Sequence, residues 1–114
     1  MDIVVSTEKE HTLLRLTGRL EATQAPALTE AIQKALQEGP PNMILDCVGL
    51  DYVASMGLRC FLLAHKGTQG AGGKLVFFGL NDNVRAVLSM TGLDKVVQVR
   101  AHLEDALTVL APLG

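Results

Sequence analysis

The run Met43-Ile44-Leu45-Asp46-Cys47-Val48 does most to restrict what this chain can fold into. It is nearly continuous in apolar residues and lacks the alternation of a strand with one wet face, so it reads as a strand covered on both sides. Such a strand takes a central parallel position, and parallel neighbours need crossover helices. The flanking sequence supplies them. Upstream, Leu28, Ile32, Ala35 and Leu36 recur on one helical stripe that Gly39-Pro40-Pro41 ends, with Thr23 placed to cap it and Pro26 inside its first turn. Downstream, Leu58, Phe61, Leu62 and His65 share one face of a helix expected from Met56 to about Gln69, with Gly67 to Gly73 closing it.

The rest of the chain repeats the pattern. Leu75-Val76-Phe77-Phe78 is a second buried strand, and Asn81 caps a helix bearing Val84, Val87 and Leu88 that Gly92 closes. Val96 to Val99 reads as a last short strand, and Leu103, Ala106, Leu107 and Leu110 mark a terminal helix before Pro112. At the front, Met1 to Ser6 and Thr12 to Thr17 form an antiparallel hairpin with an edge strand first, after which Gly18 to Ala22 leaves the sheet. The order β-β-α-β-α-β-α-β-α predicts an α/β fold: a mixed, mostly parallel sheet of about five strands with four helices and an N-terminal antiparallel hairpin. At 114 residues, one domain spanning 1–114 is expected.

Several function classes drop out. The formal net charge is −2 and Lys and Arg are scattered singly, so direct nucleic-acid binding by counterion release has little to work with. Cys47 and Cys60 form no C-x-x-C and neither His nor Cys recurs at zinc-ligand spacing, so no metal and no cofactor are expected and both thiols read as buried and inert. No basic segment leads into an apolar signal core, and no apolar run approaches the ~20 residues that span a bilayer. A cytoplasmic protein without membrane insertion is the expectation. Gly70-Ala71-Gly72-Gly73-Lys74 fails the phosphate-loop pattern, since Leu75 stands where Ser or Thr should follow the lysine. His11, His65 and His102 offer no assignable partner for a serine nucleophile, and the G-x-S-x-G elbow is absent, so the chain is not read as an enzyme. His65, on the apolar helix face, reads as a packed core histidine.

The stretch Leu50 to Arg59 stands out. Ser55 falls where the N-cap of the following helix would sit, and Gly57 keeps the turn uncrowded. The first helical turn has no Asp or Glu but carries Arg59, the reverse of the usual preference near the positive end of the helix dipole. This serine-bearing turn is read as the functional centre.

Together these residues resemble the STAS domain family, and within it the stand-alone bacterial anti-sigma factor antagonists. The resemblance is carried by Leu16-Thr17-Gly18-Arg19-Leu20-Glu21, Ile44-Leu45-Asp46, Tyr52-Val53-Ala54-Ser55-Met56-Gly57-Leu58, Gly72-Gly73-Lys74-Leu75, Val84-Arg85 and Met90-Thr91-Gly92-Leu93, in that order over essentially the whole chain. It implies a SpoIIAA-like STAS fold and a protein partner, a kinase-type anti-sigma factor from which the sigma factor is released. It further implies phosphorylation of Ser55 by that partner and a contact surface made of Glu21, Ala54, Ser55, Met56, Gly57, Leu58 and Arg59. A monomer or weak dimer is expected. The family turn reads Asp-Ser-Ser/Thr-Gly; here Ala54 replaces the Asp and Met56 the second hydroxyl residue. That departure keeps a second reading open: a STAS interaction module of another signalling complex, or of a lipid-transporting ABC system, that is not phosphorylated.

Overall fold

In the computed structural model, which describes residues 1–111, two strands form the leading hairpin: β1 (Asp2–Glu8) and β2 (His11–Leu20). They are joined at Lys9 and Glu10, both with left-handed φ (52° and 69°), the geometry whose twist suits a two-residue hairpin. Three more strands, β3 (Met43–Val53), β4 (Leu75–Phe78) and β5 (Gln98–Arg100), complete a sheet of order β1-β2-β3-β4-β5. Only the β1–β2 pair is antiparallel; β2 to β5 run parallel. Four α-helices lie among the described residues: α1 (Ala25–Glu38), α2 (Ser55–Gly70), α3 (Asp82–Met90) and α4 (Leu103–Leu110). Pro112, read as the stop after α4, lies outside the described residues.

The monotone strand order dictates the layers. When each crossover steps to the next strand with the same hand, the connecting helices fall on one face. Burial bears this out: Leu14, Leu16, Leu45, Cys47, Leu75 and Phe77 point into one core with residues of α1, α2 and α3, whereas Leu13, Ile44, Val76 and Phe78 point the other way onto Ala106 and Leu110 of α4. Met43 to Cys47 is buried throughout because helices cover both its sides. Phe61 of α2 meets Phe77 of β4 edge-on, with ring centroids 4.9 Å apart, a pairing worth about 1 kcal/mol beyond its buried area. Both cysteines are free and buried. Burial first, and the charge of Asp46 second, push the Cys47 thiol far above its usual range, so it stays protonated.

Several boundaries differ from the sequence reading. β2 does not leave the sheet at Gly18 but runs on to Leu20, because Gly18 takes φ +102° and the pairing with β3 shifts register on either side of it. Such an irregularity lets a strand absorb a glycine and continue. β3 likewise extends to Val53, leaving a one-residue connection to α2. Gly67 does not end α2; it lies inside the helix, where a Cβ would collide with Leu36 of α1, so its bareness allows the two helices to approach. α1 begins at Ala25 after a short 3-10 turn (Ala22–Gln24), with Gln24 rather than Thr23 at the cap position and Pro26 in the first turn as expected. The last strand starts two residues later than read, since Leu93–Lys95 forms a 3-10 turn first. Val5 of the edge strand is 52% exposed, as is Val4 at 53%, so alternation on β1 gives little burial.

Candidate functional site at the start of helix α2

The site is built at the C-terminal ends of β2 and β3. Leu20 pairs with Val53, and the next residue, Ala54, donates its backbone N–H to the Leu20 carbonyl at 2.8 Å. Glu21 and Ala54 therefore leave adjacent strand ends side by side. The chain turns at Ala54, which holds the N-cap position of α2 in extended geometry and, having no polar side chain, caps nothing. Ser55 is thus the first helical residue rather than the cap, a correction to the sequence reading, and its side chain is exposed. An Ala cap leaves the first-turn N–H groups of α2 without the side-chain acceptor that Ser, Thr, Asp or Asn would bring.

Gly57 is buried one turn in. A Cβ there would lie 2.7 Å from the Leu20 side chain and 2.9 Å from that of Val53, so only glycine lets α2 start this close to the sheet. Around it the larger side chains face outward. Met56 is 42% exposed, Leu58 half-buried and Arg59 exposed. Met56 and Arg59 line a groove of about 570 Å³ between α1 and α2, with Ala22 and Pro26 on its far wall. Leu58, Arg59 and Leu62 line a second, more apolar groove of about 320 Å³ closed by Leu93 and Val96. Arg59 borders both. It has no carboxylate neighbour on its own helix, since α2 contains neither Asp nor Glu.

Glu21 is exposed and accepts a hydrogen bond from Arg19 Nε at 3.0 Å, while the Arg19 guanidinium lies over the Tyr52 ring, 4.2 Å from its centroid. An exposed ion pair of this kind adds at most about 1 kcal/mol, so it orients Glu21 more than it stabilises the fold. The backbone N–H of Glu21 donates to Gln24 Oε1 at 3.0 Å, fixing the turn that follows. On the other side, Asn81 caps α3 by accepting from the Val84 N–H at 2.8 Å, and its amide donates to the Leu50 carbonyl at 3.1 Å, fastening α3 to β3 just before the site.

Six of the seven residues singled out in the sequence fall on this one rim: Glu21 beside Ala54, then Ser55, Met56, Leu58 and Arg59 in the first turns of α2; Gly57, expected in the contact surface, is instead buried against Leu20 and Val53. The reading of α2's buried face needs correction. Gly57, Cys60, Phe61, Ala64 and Thr68 face the core, Leu62 is 40% exposed, and His65 is only half-buried rather than a core histidine. Tyr52 and Arg19 were missed as rim residues. Alternation along β3 does not locate Tyr52, because the register shift between Asp46 and Gly49 breaks it: Cys47 and Leu50 both enter the main core.

The model of the STAS domain matches residues 2–106, and the chain belongs to the STAS domain family. Among curated relatives, the anti-sigma-F factor antagonist RsfB of Mycobacterium tuberculosis is 29% identical over 113 residues, covering 94% of this chain and 89% of that protein. The anti-sigma-B factor antagonist of Listeria monocytogenes is 26% identical over 93 residues, 82% of each. Among solved structures, an anti-sigma factor antagonist from Mycobacterium paratuberculosis superposes with a TM-score of 0.87 at 24% identity, covering 96% of this chain and 92% of that one. At that identity the likeness speaks for the fold.

Proposed function

We propose that the chain is an anti-sigma factor antagonist: it docks on a kinase-type anti-sigma factor through the rim formed by Glu21, Ala54, Ser55, Met56, Leu58 and Arg59, and so frees the sigma factor. The observation that carries this reading is the exposed Ser55 at the mouth of α2, flanked by the half-open apolar side chains of Met56 and Leu58 on a rim held fixed by backbone bonds. The curated relatives named as antagonists support it. The chain needs no catalytic group of its own for this role. Residues 1–114 act as one unit, a monomer or weak dimer, in the cytoplasm where sigma factors work.

Phosphorylation of Ser55 is the proposed switch. A phosphate adds about −1.5 to −2 charge, and burying it in a packed interface without a matching cation opposes complex formation. Incubating the chain with a kinase-type anti-sigma factor of its own organism and ATP, then locating phosphate by mass spectrometry, tests the switch, and calorimetry tests the docking. Modification at Ser55 with binding weakened at least a hundredfold is the expected result. Binding without any modification would eliminate the switch and leave the docking; no binding at all would eliminate both.

The cap position favours one second reading. Ala54 stands where the antagonist motif has a carboxylate, so a module that binds constitutively, in another signalling complex or beside a lipid-transporting ABC system, fits the same rim. Recovery of a transporter ATPase and no kinase-like protein in a pull-down would select it.

A further inference from the structure

We propose that the hollow where β4 and β5 end is a binding site for a small phosphate monoester with an apolar body. The hollow, of about 360 Å³, is lined by Val48, Gly79, Leu80, Val99 and Ala101 and rimmed by Arg85, Arg100 and His102. It shares no lining residue with the two grooves beside Ser55 and does not rest on the function proposed above.

Three observations converge on this ligand. First, the charge is one-sided: two arginines and a histidine line the hollow, and no carboxylate does. The acids nearest along the chain are Asp46 and Asp51 of β3, Asp82 in the first turn of α3 and Glu104 and Asp105 in the first turn of α4; none lines it, and the Asp46 carboxylate is taken up by Arg15 and by the Val48 N–H. Second, the arginines are not neutralised. The ion pairs among the described residues use Arg15 and Arg19, whereas Arg100 donates only to the Val99 carbonyl and to Gln98 Oε1. Two guanidiniums over one depression suit a dianionic phosphate, which they can hold by paired N–H donors. Third, the floor is apolar, with the bare Gly79 packed against Val48. Gly79 takes φ +75°, and a Cβ there would collide with Val48. Val48 itself is 68% exposed, so an apolar group seated beside the phosphate would cover a side chain that nothing in the fold covers.

The test is a titration of the ¹⁵N-labelled chain with phenyl phosphate, inorganic phosphate and phenol, at constant ionic strength. Saturable amide shifts confined to Gly79, Leu80, Val99, Arg100 and Ala101 are expected, with phenyl phosphate acting at several-fold lower concentration than inorganic phosphate and phenol inert. The double variant Arg85→Gln/Arg100→Gln should weaken binding at least tenfold. Both side chains are exposed, so its melting temperature checks that the fold is retained, and Arg85→Lys/Arg100→Lys provides a charge-preserving second variant of intermediate affinity. Shifts that fail to saturate, that follow sodium chloride alone, or that persist in the Gln variant would overturn the proposal.

Discussion

Helices α2 and α3 each follow a parallel strand, after one residue and after three, yet they are finished differently. At α3, Asn81 caps the helix and is itself bonded to β3, and Asp82 places a negative charge in the first turn. At α2, the cap is an alanine, the first turn has no acid, and the residues that follow it, Ser55 and Met56, face solvent. The first start gives one of its orphan N–H groups a side-chain acceptor and favours the dipole; the second has no side-chain acceptor and no acid, and only the Ala54 carbonyl receives the Gly57 N–H. A helix start left incomplete beside a neighbour that is complete marks where the fold gives up stability, and here that is the rim proposed to meet a partner.

Substitutions at the two starts test that contrast. The largest effect belongs to Gly57→Val, whose side chain has no room against Leu20 and Val53; chemical denaturation should show a loss of about 2–3 kcal/mol. Asn81→Ala removes both a cap and the tie to β3 and should cost about 1–2 kcal/mol by the same measurement. Ala54→Asp is expected to do the opposite, supplying the missing cap and adding about 0.5–1 kcal/mol. If Ala54→Asp proves neutral or destabilising, the two starts do not differ in the way described.

The last effect, no larger than that of Ala54→Asp, concerns the modified chain. Phosphoserine installed at position 55 lies at the positive end of α2 and one turn from Arg59, so it should raise stability by about 0.5–1 kcal/mol, part of which Arg59→Ala removes. A thermal melt that falls on phosphorylation would show that the phosphate cannot reach those donors. The same charge would thus steady the chain while weakening its complex.

The contrast between the starts also explains what could be read from the sequence. Asn81 and Gly92 were legible because cap and stop use residue types with specific backbone chemistry, and both hold: Asn81 accepts from Val84 and Gly92 takes φ +78°. That residues 54–59 open a helix directly after the third strand was legible from the order of motifs. The face of α2 was not, because apolar periodicity weights large side chains, while close approach to the sheet and to α1 is made by Gly57, Cys60, Ala64 and Gly67. Packing selected the small stripe for the inside and turned Leu62 outward. Ser55 looked like a cap because serine is a good one, yet the tight link from Val53 through Ala54 brings the helix in one residue early. Strand lengths failed for a related reason, since a glycine or an arginine reads as an exit when a register shift can carry it.

The bond from Ala54 to Leu20, together with the grip of Asn81 on Leu50, has a further consequence. The ends of β2 and β3 and the start of α3 are thus stitched sideways, once backbone to backbone and once from the Asn81 amide to a backbone carbonyl, so the surface has little conformational entropy left to lose when something settles on it. Whatever shape change accompanies the encounter then belongs to the other molecule, which must mould itself to a template already set.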